Sequence, residues 1–109
     1  MASLGSQSTA SDAKFTKKMR SKFMNSYLVH MIREFDASEE LYQEHYNYLY
    51  ALRDEGRLGL AGPYNNVQGG AYVFQANSLE EAEATAKTDP LVVAGIAQFV
   101  IFEWQAQQL

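Results

Sequence analysis

Two residues in this chain have the chemistry to exchange a proton inside a folded core, His45 and Asp89. At about 100° per residue, Leu41, Tyr48, Leu49 and Leu52 all fall within roughly 60° of His45 around a helix. An imidazole at the centre of such an apolar stripe points at the core, where a polar group without a partner is costly. Some polar group must therefore meet it. A backbone carbonyl would make His45 a packed core histidine; a carboxylate would make it one half of an acid/base pair. Asp89 is the best candidate for the carboxylate. Placed in the last turn of a helix, it would face the negative end of the macrodipole, and a donating neighbour would offset that. Asp89 followed by Pro90 also reads as the N-cap and first position of a further helical turn, "DPLVV". The two roles are compatible, since one oxygen can cap while the other accepts an imidazole N–H. Histidine exchanges protons near neutral pH, and a carboxylate on its second nitrogen fixes the tautomer, which is the arrangement of a general base.

Other polar residues have a bland reading beside the chemical one. His30 lies on a strand, on the side of Leu28 and Ile32, and either lines a pocket or packs at its rim. Tyr42, Tyr46 and Tyr50 recur every four residues beside the His45 stripe, as interface or partly buried packing. Pro63 and Tyr64 follow a glycine-rich strand and Trp104 ends the last one, so these could contact an aromatic ligand. Two histidines without a third ligand do not make a zinc site. The glycines of "GRLGLAG" fail the dinucleotide-binding spacing and lead into no helix. There is no phosphate loop and no G-x-S-x-G nucleophile.

The elements that position these residues follow from patterning. "SYLVHMIREF" is β-branched, aromatic and aliphatic, and reads as a strand. Asp36 or Ser38 caps a helix running to about Glu55, with Glu39 three residues after Asp36 as in a capping box and Gly56 as the left-handed terminator. "RLGLAGP" and "AYVFQA" form a hairpin across "YNNVQGG". Ser78 and Glu81 open a second helix with Leu79, Ala82 and Ala86 on one face, "PLVVAGI" makes a helical turn, and "AQFVIFEW" closes the chain as a strand. The order βαββαβ predicts an α+β, ferredoxin-like domain: a four-stranded antiparallel sheet with two helices on one face. Both faces of the first and last strands are apolar, because Leu28 and Ile32 oppose Tyr27, Val29 and Met31, and Phe99 and Ile101 oppose Val100 and Phe102. Two helices cover one face, so the other calls for a second copy in a homodimer.

Composition bounds the remaining possibilities. At 109 residues there is one domain with one small core. No cysteine is present, which excludes disulfides and thiolate metal sites and suits a cytoplasmic protein. Residues 1–24 hold five basic residues against one acidic, a net +4, whereas residues 25–109 hold four against twelve, a net −8. An acidic body without a basic stripe argues against nucleic acid as a partner. Residues 1–24 are expected to be a disordered basic leader, or a remnant of expression or of an upstream start, ahead of a folded body at residues 25–109, with Met24 a sensible native start. No apolar run is long enough to span a membrane.

From about Tyr27 to Trp104, the chain resembles the YciI-like (YCII-related) family of the dimeric α/β-barrel superfamily. The residues that carry the resemblance are the helical His45 followed by "YLYALRDEGRLGLAGP", then "GGAYVF", then "SLEEAEATAKTDPLVVAGI", then a final strand ending in "EW". The resemblance implies a ferredoxin-like monomer, a dimer joining two sheets, and a catalytic His and Asp that fall on His45 and Asp89. Two features depart from it: the short "YNNVQGG" segment, where relatives carry a longer insertion, and Leu91, where relatives often have an aromatic residue. Some relatives resemble enzymes of chloroaromatic breakdown, so the activity implied is a cofactor-independent lyase that removes HCl from a chlorinated hydroxyquinol, a small aromatic substrate. The alternative implied by the same superfamily is a non-catalytic small-molecule or haem-binding protein, and a third possibility is an interaction domain whose sheet serves only dimerisation.

Overall fold

The computed structural model describes residues 25–109; the expected basic leader lies outside the described residues. Strand β1 (Asn25–Arg33) leads into helix α1 (Glu39–Asp54), followed by β2 (Leu58–Pro63), β3 (Gly69–Ala76), α2 (Leu79–Ala86), the single turn α3 (Pro90–Val93) and β4 (Ala97–Trp104). The sheet order is β2-β3-β1-β4, antiparallel throughout. This is the α+β, ferredoxin-like arrangement that the element order predicts.

Local chemistry sets the boundaries. The Ser38 side chain accepts a hydrogen bond from the Leu41 N–H, so Ser38 and not Asp36 caps α1, and Glu39 is already helical. Gly56 ends the helix at φ 75°, the left-handed region that glycine enters freely. Ser78 accepts from the Glu81 N–H while Glu81 reaches back to the Asn77 N–H, one residue before the position a capping box would use. Ala82 and Ala86 bury the inner face of α2, but Leu79 is largely exposed in its first turn.

The alternation of β1 sorts its side chains. Tyr27, Val29 and Met31 are buried between sheet and helices, together with Leu49 and Leu52 from α1, Tyr72 and Phe74 from β3, and Ala82, Ala86, Leu91 and Ala97. Each fully buried large side chain among these contributes about 1.5–3 kcal/mol relative to exposure. Phe99 and Ile101 of β4 pack against this core. Leu28, His30 and Ile32 point the other way, and so do Val100, Phe102 and Trp104. Among the described residues no helix covers that second face, and Ile32, Val100, Phe102 and Trp104 are 41–53% exposed on it.

Candidate functional site: a histidine and carboxylate at a closed end of the sheet

Helix α1 packs its Leu49 and Leu52 onto the sheet, and the same stripe carries His45 inward. The His45 side chain is 14% exposed. Its ring stacks on Tyr48 at 6.4 Å between centroids and meets Tyr46 edge-on at 5.5 Å. Nδ1 lies 2.9 Å from both carboxylate oxygens of Asp89, whose side chain is 0% exposed.

The chain between α2 and α3 fixes that carboxylate. Helix α2 ends at Ala86 with Lys87 as its C-cap, so Asp89 does not belong to its last turn, as the sequence reading had it. The residue before a proline is pushed out of the helical region, and Asp89 sits at φ −58° and ψ 127°. From there it caps α3: Oδ1 accepts the Leu91 N–H at 2.9 Å, and the Asp89 carbonyl accepts from Val92 and Val93. The cap and the imidazole contact coexist on one carboxylate, and the unfavourable macrodipole interaction does not arise. A carboxylate accepts, so Nδ1 carries the proton and Nε2 is the ring nitrogen left for a ligand.

His45 looks into a partly open cavity of about 180 Å³ bounded by α1, the start of α3 and one end of the sheet. Its wall is mostly apolar, with Met31, Leu49, Leu91, Ala97 and Pro63 on it, and Arg33, Tyr42, Tyr46 and Tyr72 supplying polar atoms. Behind it, Tyr48 donates to the Thr85 carbonyl at 3.2 Å, so Tyr72 is the donor in the 2.8 Å contact between the two tyrosine hydroxyls. Burial pushes the Tyr48 phenol up to about 12 and the Tyr72 phenol further in the same direction, so both stay neutral in the physiological range.

The residues singled out in the sequence divide between the two faces of the sheet. His45, Asp89 and Pro63 gather at the cavity, with Asp89 behind the imidazole rather than on the wall. His30 and Tyr64 do not reach it: they are paired on the uncovered face, Nδ1 to hydroxyl at 2.5 Å, and Trp104 is on that face as well. The alternation that sends Met31 to the helices sends His30 away from them. Arg33 and Tyr72 are cavity residues that the sequence reading does not reach. Arg33 has a legible signal, since it continues the Tyr27, Val29, Met31 series.

The sequence profile of the YCII-related domain matches residues 21–105. The chain belongs to that family. This YCII-related chain is 39% identical over 85 residues to the uncharacterized protein YjpA of Bacillus subtilis (strain 168), covering 78% of this chain and 100% of YjpA. Among solved structures, it is similar to a 5-chloro-2-hydroxyhydroquinone dehydrochlorinase from Burkholderia phenoliruptrix AC1100 in complex with 2,5-dihydroxybenzoquinone. That likeness has a TM-score of 0.60 and 18% identity, over 75% of this chain and 95% of the other. It is also similar to a muconolactone isomerase, with a TM-score of 0.62 and 15% identity over 75% and 90% of the two chains. At these identities the likeness establishes the shared fold alone. Among the described residues no helix is long and apolar enough to cross a membrane, and no group of three or more His, Cys, Asp or Glu side chains could hold a metal ion.

Proposed function

We propose that this protein is an acid/base enzyme acting on a single-ring small molecule, with His45 as the proton-transfer residue and Asp89 as its positioning partner. One observation carries the reading: a histidine with one ring nitrogen held by a buried carboxylate and the other available to a concave, mostly apolar cavity. An apolar cavity of about 150 Å³ holds one benzene ring, and this one is of comparable size. The same dimension weighs against the haem-binding alternative, since a tetrapyrrole needs several times that space.

The specific reaction we assign is removal of HCl from a chlorinated hydroxyquinol to give a hydroxyquinone. Support comes from the dehydrochlorinase among the fold's relatives and from the fit of the chemistry to the pair. His45 Nε2 takes a phenolic proton and returns it to the chlorine-bearing carbon, giving a keto tautomer. Chloride then leaves with the C–Cl electron pair while a second hydroxyl loses its proton and becomes C=O, for a net loss of HCl. Asp89 holds the tautomer and stabilises the imidazolium between the two transfers. The apolar uncovered face, with Ile32, Val100, Phe102 and Trp104, suits a homodimer joined sheet to sheet. A cysteine-free chain of this kind suits the reducing cytoplasm.

Chloride release from 5-chloro-2-hydroxyhydroquinone tests the assignment. His45→Ala is expected to lower turnover by about 10²- to 10⁴-fold with the circular dichroism spectrum unchanged. Undiminished turnover in a folded His45→Ala variant rules the mechanism out.

A further inference from the structure

The cavity has a second chemical feature, at the end of β1. Arg33 continues the inward series of that strand and opposes Ala97, itself on the cavity wall. Its guanidinium carbon lies 5.4 Å from the centre of the Tyr42 ring. The Arg33 side chain is 22% exposed, and its one acidic partner within 4 Å among the described residues is Asp36, 3.9 Å away and 85% exposed. An ion pair that long and that wet contributes little. The Nε of Arg33 is buried and donates to no acceptor among the described residues. A buried donor of a permanent cation is normally satisfied, because leaving it so forfeits its hydration.

The guanidinium as a whole lacks a buried anionic partner, and the surroundings tell what would supply one. Among the described residues no Asp or Glu is on the cavity wall, and the buried carboxylate, Asp89, is 0% exposed behind His45 and already accepts from both His45 and Leu91. In a chain of net charge −4, the described residues give this cavity one permanent charge, and it is positive. Tyr42, which stacks on Arg33, precedes His45 by three residues, a rise of roughly 4.5 Å along the helix. A guanidinium and a proton-transfer imidazole therefore share one small cavity.

Resting on the acid/base reading, we propose that Arg33 is the substrate-binding residue of this site and that its substrate is a planar, single-ring oxyanion. The charged oxygen seats on the Arg33 guanidinium where it borders the cavity, and the reacting ring position faces His45 Nε2. The guanidinium fork matches a carboxylate or an ionised ring hydroxyl, and holding either fixes the ring's orientation toward the base.

Calorimetric titration of the full chain separates the two sources of charge. Benzoate carries it on a carboxylate and 2,5-dihydroxybenzoquinone on ring oxygens; benzamide and hydroquinone are their neutral counterparts. The expected result is that at least one anion binds about 10- to 100-fold more tightly than its neutral counterpart. That preference is lost in Arg33→Met and partly kept in Arg33→Lys, which retains charge without the fork. The proposal is overturned if neither anion binds at millimolar concentration, if anion and neutral ring bind alike, or if the preference survives in Arg33→Met. Should Arg33→Met fail to fold, the wild-type preference and a reduced preference in Arg33→Lys decide. An Arg33-dependent preference in a protein that releases no chloride sinks dehydrochlorination and leaves the anion site standing. Chloride release without any preference does the reverse.

Discussion

His45 Nδ1 is equidistant, at 2.9 Å, from the two carboxylate oxygens of Asp89, and one of those oxygens also caps the turn that follows. Asp89→Asn separates these functions. An asparagine keeps an oxygen for the Leu91 N–H, so the cap and the fold survive. Its NH₂ would face Nδ1 as a donor, which moves the imidazole proton to Nε2 and leaves no basic nitrogen in the cavity. The expectation is a loss of turnover of at least about 10²-fold with little change in thermal midpoint. Measuring both on one sample checks it, and a joint fall in stability and activity would show that the carboxylate serves the fold alone.

Much of this was legible in the residues. The stripe around His45 placed it inward, and "DPLVV" announced the cap that holds Asp89. The position of Asp89 relative to α2 was not legible, because Thr88 closes the helix with its own hydroxyl on the Thr85 carbonyl, a local bond that competes with helical continuation. Arg33 is hidden for a different reason. The apolar residues of β1 define its inward face, and a charged residue at the next inward position has the pattern of a strand end unless a cavity lies beside it. His30 shows the converse: its side of the strand was clear from the alternation, but only the packing of both helices on the opposite face shows that it cannot share a cavity with His45.

The end of the cavity formed by β2 and β3 depends on backbone contact that side chains would block. Gly69 has φ 133°, and a Cβ there would meet the Met31 carbonyl oxygen at 2.1 Å; a Cβ at Gly70 would meet the Gly62 carbonyl oxygen at 2.5 Å. Gly62, on the same wall, has open space around it. Gly69→Ala is expected to lower stability by more than 2 kcal/mol, in the range of overpacking combined with a strained backbone (about 1–3 kcal/mol each). Gly62→Ala should stay within about 0.5 kcal/mol of wild type. Urea denaturation of the pair checks the contrast, and equal midpoints would contradict the packing described for this hairpin.

Alkaline pH should probe the buried tyrosines. Burial raises the Tyr48 phenol from 10.0 to about 12 and moves Tyr72 the same way, so between these values the unfolded chain ionises while the folded one holds its protons. A group whose folded pKa is raised contributes stability that is fully present below the unfolded value and is lost as pH climbs through the folded one. The urea midpoint is therefore expected to hold up to about pH 10 and to decline above it. In the Tyr48→Phe/Tyr72→Phe double variant the decline should be shallower. An equally steep decline in both proteins would mean that these phenols do not govern the alkaline limit.

The uncovered face supplies the last test. Leu28, His30 and Ile32 of β1 lie beside Phe102, Val100 and Gln98 of β4, giving an apolar patch centred on Phe102 and Val100 with the His30–Tyr64 pair next to it. Exposed apolar patches of this kind in a small domain mark an interface, and burying one adds stability that a core of this size cannot supply by itself. If two sheets meet here, Phe102→Glu places a charge in a dry contact and splits the dimer, whereas Glu103→Gln, a neighbouring exposed position of β4 on the other side of the strand, leaves it intact. Light scattering should then report the mass of two chains for wild type and Glu103→Gln and of one chain for Phe102→Glu. The cavity sits across the sheet from this contact, so the monomeric variant should keep its affinity for a cavity ligand to within a few-fold. Loss of ligand binding on dissociation would instead show that the second copy helps to close the site around His45.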